Sequence, residues 1–200
     1  MATMVREVAE PRPPTDLHRR DLPIEIIAAG RTLVRIHPAK WPALHFGTSG
    51  DNRFDDPQRG YGVCYAALTI EGAFAETLLR QIGATLVARA SLDLRSITEL
   101  TVVADLRLVS VHGPGLAALG ATAAVTSGAY EVAQLWSRAL HRHPAGLDGI
   151  CYRCNHDNDA FAVALFDRCR DHIRITAANP LSKDRLLLGR LLDRYRVGLS

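Results

Sequence analysis

No stretch of this 200-residue chain approaches the ~18 consecutive apolar residues that a membrane-spanning helix needs. A membrane partner is therefore not expected. Charge of neither sign dominates: 24 Lys and Arg stand against 21 Asp and Glu, a net charge of +3. So mild an excess does not argue for direct nucleic-acid binding or an anionic surface. The opening MATMVREVAEPRPP lacks the apolar core of a signal peptide and carries acids and prolines. The expected location is cytoplasmic, where Cys64, Cys151, Cys154 and Cys169 stay reduced. There is no repeat, and no regular strand–helix alternation of the kind that builds a doubly wound sheet. What is present is ordinary globular material, 48% hydrophobic and 22% charged, sufficient for one well-filled core.

Residues 1–22, rich in proline, read as an extended arm, and 23–200 as a single domain. TLVRIH (32–37) and VCYAALT (63–69) have strand character, with a long Gly/Asp/Asn/Pro loop between them. A helix is predicted over Glu71–Ile82, with Phe74, Leu78, Leu79 and Ile82 as its apolar stripe. Residues 96–111 form one or two strands, GPGLAALG a short turn, and Gly128–His141 a second helix. Strands follow at 149–153, 161–166 and 172–176, then a last helix capped by Ser182, with Leu188, Leu191, Leu192 and Tyr195 turned inward. The mixture indicates α+β.

Cys151-x-x-Cys154 beside His156 has the spacing of a metal knuckle, yet it offers at most three ligands, and no second Cys-x-x-Cys completes them. Strand alternation also turns the two thiols to opposite faces. No metal is expected. A thioredoxin-like redox pair would precede a helix, and none follows here. A nucleophile built from Cys154 with His156, His141 or His143 needs geometry that spacing cannot supply. Arg35 and Arg53 converging on one cleft would clamp a diphosphate through paired hydrogen bonds, although a single arginine is most often a solvated charge. Glu76 lies about 160° around the helix from Phe74 and Leu78, the direction of solvent unless that side lines a cleft.

In order, Arg35, NRFDDP with Arg53, CYAA with Tyr65, AFAETL with Glu76, and DGICYRCNHDNDAFAVALFD resemble the RES domain. YEVAQLWSRALHRHPAGLDGICYR (130–153) resembles that family's helix-then-strand approach to its third motif. The resemblance spans roughly residues 30 to 175. It implies an ADP-ribosyltransferase-like fold, a small split central sheet with helices flanking a nucleotide cleft. It also implies a toxin–antitoxin toxin that consumes NAD⁺ at the nicotinamide–ribose bond. Phosphate, water or a protein side chain is the acceptor, and an Xre-type antitoxin the partner. Oligomeric state, a homo-oligomer included, is left open.

On that resemblance Glu76 stabilises an oxocarbenium-like ribose. Arg35 and Arg53 hold the pyrophosphate, and Tyr65 stacks or donates a hydrogen bond. The catalytic set is Glu76, Arg35, Tyr65 and Cys154; Arg35, Arg53, Tyr65, Asn155 and His156 bind the dinucleotide. The family's name comes from an arginine, a glutamate and a serine, and Cys154 occupies the serine's place. Cysteine is a weaker hydrogen-bond partner. The expected role of Cys154 is positioning, in an enzyme that stays active; a disabled scaffold that binds a nucleotide or a partner is the alternative.

Overall fold

The computed structural model describes residues 12–79, 83 and 85–200. Its strands are β1 (Ile24–Ile27), β2 (Thr32–Pro38), β3 (Val63–Ala67), β4 (Leu86–Val87), β5 (Arg95–Val102), β6 (Leu106–Val111), β7 (Gly149–Cys154), β8 (Asp157–Phe166), β9 (Ile173–Pro180) and β10 (Gly198–Leu199). Its helices are α1 (Ile70–Leu78), α2 (Arg89–Asp93), α3 (Pro114–Leu119), α4 (Ala124–Ser127), α5 (Tyr130–His141) and α6 (Arg185–Tyr195). Among the described residues, eight strands join in the order β1-β6-β7-β8-β3-β2-β5-β9, and β10 pairs with β4 separately. The α+β expectation holds, on a sheet larger than the small one expected.

Every pairing in the large sheet is antiparallel except β6–β7, whose connection carries α3, α4 and α5. The seam between β2 and β3 is the thinnest, with Val34 opposite Ala67 as its one paired position. Past it the strands part, so the sheet splits at its centre. Ala39 to Gly62 loops out of this fork, and α1 packs over β2, β3, β7 and β8.

Two apolar layers cover the faces. One holds Trp136, Phe54, Phe74, Leu140 and Ile150; the other holds Leu33, Leu100, Leu108, Cys151 and Leu165. Each fully buried large side chain contributes roughly 1.5–3 kcal/mol relative to exposure. Cys151 and Cys154 lie in different layers, the outcome that strand alternation requires.

Helix α1 runs Ile70–Leu78 with Leu79 as its C-cap; Ile82, expected in its stripe, lies outside the described residues. Thr69 caps its start by accepting from Gly72 N. The last helix is capped by Asp184, whose carboxylate accepts from Leu187 N at 2.9 Å. Ser182, expected there, sits in the preceding 3-10 turn Leu181–Lys183, too early to reach the first free amides. Residues 1–11 of the proline-rich segment lie outside the described residues. Farther on, Leu17 is buried in a 3-10 turn against α5.

Candidate active site

The fork between β2 and β3 opens into a cleft of about 1240 Å³. Arg35 from β2, the 39–62 loop, Tyr65 from β3, Glu76 and Thr77 from α1, Tyr152 from β7 and the Asn155-His156 turn line it. Of the residues expected from sequence, Arg35, Arg53, Tyr65, Glu76, Asn155 and His156 meet here. Cys154 does not line the cleft.

Glu76 faces the cleft because the parted sheet leaves space beside α1. Asn155 N donates to its Oε1 at 2.9 Å, and Tyr152 Oη to its Oε2 at 3.4 Å. A helix, a strand and the β7–β8 turn thus fix one carboxylate.

Arg35 stands where the strands part. Its Nη1 donates to the Tyr65 carbonyl at 2.6 Å and lies 3.3 Å from Cys64 Sγ. Its Nε is buried with no hydrogen-bond partner among the described residues. A buried guanidinium donor without an acceptor is costly, and the positive charge of Arg35 on the cleft wall favours an anion there.

Arg53 is held by its Nη1 bond to Gly128 O at 2.8 Å and by the Tyr130 ring, 4.6 Å from its guanidinium carbon. Its loop is organised around Asp55, which is fully buried. The Asp55 carboxylate accepts from Tyr65 Oη (2.9 Å), Ser49 Oγ (3.1 Å), Asn52 N (3.2 Å) and Asn52 Nδ2 (3.0 Å). Phe54 N in turn donates to Tyr65 Oη at 2.9 Å. Burial, then the Asp55 charge, push the Tyr65 phenol well above its ordinary range, so it remains a donor. The expectation that this hydroxyl serves the substrate gives way to a structural one, because both its bonds go to the loop.

From behind, α5 braces the same loop. Gln134 Nε2 donates to Gly50 O at 2.8 Å and Asn52 O at 3.1 Å, and Ser137 Oγ to Phe54 O at 2.6 Å. Nearby, Asp56 accepts from Gln58 N and Gly60 N. This turn carries Arg59, in the left-handed region (φ 57°), onto the cleft wall. Sequence reasoning missed Tyr152, Asp55, Arg59 and Gln134. Strand alternation, which puts Tyr152 on the face of Cys154, was the one available signal.

Cys154 lies beneath α1, 1% exposed, with Sγ 3.9 Å from Gly72 O. Gly72 permits this approach, since a Cβ there would come 3.3 Å from Cys154 Sγ and 3.2 Å from Ala67 Cβ. Burial first, then the Glu76 and Asp157 charges, push the thiol far up. Buried and away from the cleft wall, it is not placed to act as a nucleophile. Cys154 supports the helix carrying Glu76 and does not border the substrate space, which corrects its expected place in the catalytic set. His156 is exposed on the cleft rim while Cys151 is buried in the other layer, so the knuckle ligands do not converge.

The RES domain family model matches residues 32–185, about three-quarters of the sequence. The chain belongs to the RES domain family. This RES chain is 32% identical over 76 residues to a protein of Sinorhizobium fredii (strain NBRC 101917 / NGR234) named "Probable toxin y4kH". The alignment covers 38% of the chain and 59% of that relative, so the chain spans about three-fifths of the relative's length. A chain of the M. tuberculosis MbcT–MbcA toxin–antitoxin complex has the same fold, with TM-score 0.63 at 16% identity. That match covers 86% of this RES chain and 91% of the other. Of the residues expected from the resemblance, Arg35 stands at the fork, Arg53 on the loop, Glu76 on α1, and Asn155 and His156 in the β7–β8 turn, all on the cleft wall.

Proposed function

We propose that this RES protein is the toxin of a toxin–antitoxin pair and consumes NAD⁺ by breaking the nicotinamide–ribose bond. The observation that carries the reading is Glu76, held by Asn155 and Tyr152 in the same cleft as Arg35 and Arg53. In the reaction the C–N bond takes its electron pair to the pyridinium, and nicotinamide leaves neutral. Positive charge develops at ribose C1″, where the Glu76 carboxylate stabilises it. Phosphate or water then attacks C1″; water gives up a proton, and phosphate forms a sugar 1-phosphate.

Arg35 and Arg53 bind the pyrophosphate. The Arg35 guanidinium, on the cleft wall where the strands part, supports an anion at the fork. Trp41, half-exposed and stacked on His45 with ring centroids 5.1 Å apart, offers an aromatic face on the cleft wall. Asn155 and His156 orient the nicotinamide half from the turn beside Glu76. An Xre-type antitoxin whose chain end enters the cleft would block the dinucleotide. The toxin name of the Sinorhizobium relative and the toxin–antitoxin complex with the shared fold support an antitoxin as partner.

The test is nicotinamide release from NAD⁺ by purified protein, with and without inorganic phosphate, beside Glu76→Gln. Loss of turnover on the order of 10²–10³-fold in a folded variant is expected. Phosphate-dependent release with ADP-ribose 1″-phosphate as product names phosphate as acceptor; release without phosphate names water. A Glu76→Gln variant as active as the parent rejects the assignment. No release from folded, partner-free protein rejects the glycohydrolase and phosphorylase readings, leaving transfer to a protein acceptor or a binding scaffold.

A further inference from the structure

A second cluster of reactive side chains lies away from the cleft, where β1, β6 and β7 run side by side. The registers set Glu25 opposite Leu108 and Ser110 opposite Cys151. Residues so paired share a sheet face, and positions two apart along a strand return to it. Glu25, Ser110 and Cys151 therefore project together, and His112 follows two residues after Ser110. A carboxylate oxygen of Glu25, a ring nitrogen of His112 and the sulfur of Cys151 lie within 4.8 Å of one another. His112 Nε2 is 3.1 Å from Glu25 Oε2 and 3.0 Å from Ser110 Oγ. The Phe161 ring stands edge-on to the imidazole at 4.6 Å and fixes its plane. None of the three ligand residues lines the cleft.

We infer that Glu25, His112 and Cys151 form a Zn²⁺ site. Thiolate, imidazole and carboxylate are the donor types zinc takes, and three protein ligands leave a fourth position for water or Ser110 Oγ. Cys151 is fully buried, whereas the Glu25 and His112 side chains keep 37% and 18% exposure, so the ion enters from the solvent side. On binding, the Cys151 thiol proton passes to solvent and sulfur bonds the metal as thiolate. The ligands come from β1, from the residue that follows β6 and from β7. The ion therefore ties the edge strand β1 to the body of the sheet. This Cys151 site owes nothing to Cys154, which faces the opposite layer.

The experiment uses the full chain, stripped of metal with a chelator and titrated with Co²⁺. A near-ultraviolet sulfur-to-cobalt charge-transfer band is expected, with the visible bands of a tetrahedral ion, and Zn²⁺ displacing the Co²⁺. Metal analysis after dialysis should return about one zinc per chain. Cys151→Ser should abolish the charge-transfer band. Glu25→Gln and His112→Gln should each weaken zinc binding at least about tenfold, the lower range found for merely supporting partners. Zinc should raise the Tm of the parent but not of Cys151→Ser. Far-UV circular dichroism checks each variant, and Glu25→Gln, at a half-exposed position, keeps the test decisive if Cys151→Ser fails to fold. No sulfur band in the parent at saturating Co²⁺ overturns the inference. A band that survives in Cys151→Ser overturns it too, since the sulfur would then be another cysteine.

Discussion

Cys154 is the residue expected at the serine position of the RES signature, and its surroundings decide what such an exchange does. Its sulfur is buried, lies 3.9 Å from Gly72 O, and does not line the cleft. A serine hydroxyl is a stronger donor to the same carbonyl but is less at ease among apolar neighbours. The two effects oppose each other at about 1 kcal/mol each. Cys154→Ser should therefore change stability by less than about 1 kcal/mol and leave nicotinamide release at least as fast as in the parent. Urea unfolding and the NAD⁺ assay check both. A folded serine variant with tenfold less activity would mean the thiol itself takes part in the chemistry. Arg35 is the opposite case, a side chain whose buried Nε lacks an acceptor among the described residues.

The 39–62 loop acts as an element because Tyr65, Asp55 and α5 hold it in one shape. Tyr65→Phe removes the donor to Asp55 and leaves a buried carboxylate short of one bond, at a cost of roughly 1–3 kcal/mol. Gln134→Ala releases Gly50 O and Asn52 O together. Both variants should raise KM for NAD⁺ more than they lower kcat, since they loosen Arg53 and not Glu76. A drop in kcat with KM unchanged would mean that Tyr65 touches the reacting atoms. Period and composition made much of this frame legible. TLVRIH and the opposite faces of the two cysteines follow from alternation, the strand Val63–Ala67 from the apolar run VCYAALT, and the helix ending at His141 from its helical apolar period. Motif order was the signal that picked out Arg35, Arg53, Tyr65, Glu76, Asn155 and His156, residues that the structure places on the wall of one cleft. Asp55 and Gln134 were not legible, because their roles depend on bonds across 10 to 84 positions of sequence, and alternation gave Tyr152 a face but not its bond to Glu76. Nor did the wheel place Glu76: on a uniform sheet that face of α1 meets water, and only the parting of β2 from β3 gives it a cleft.

At the scale of the molecule, the layer holding α5, the 39–62 loop and the end of β8 meets at His141. Its ring stacks on Tyr61 at 3.8 Å and stands edge-on to Phe166, while Arg168 Nη2 donates to its Nε2 at 2.8 Å. A helix C-terminus ordinarily favours an imidazolium. Here burial, then the Arg168 charge, lower the pKa to about 4, against weaker opposition from Asp167 and Asp56 and with a smaller push from Arg142. The folded protein therefore keeps His141 neutral, and the unfolded chain takes up a proton near pH 6.5. Stability from this group is complete above about pH 6.5 and is lost as pH falls towards about 4. His141→Gln can still accept from Arg168 but does not titrate. Its stacking loss is the same at every pH, so the stability gap between parent and variant should be widest at neutral pH and narrow steadily towards pH 4. Thermal melts of both proteins across that range measure the gap. A gap constant from pH 8 to pH 4 would show that His141 titrates alike in folded and unfolded chains, and the acid sensitivity would then belong to the carboxylates that organise the loop.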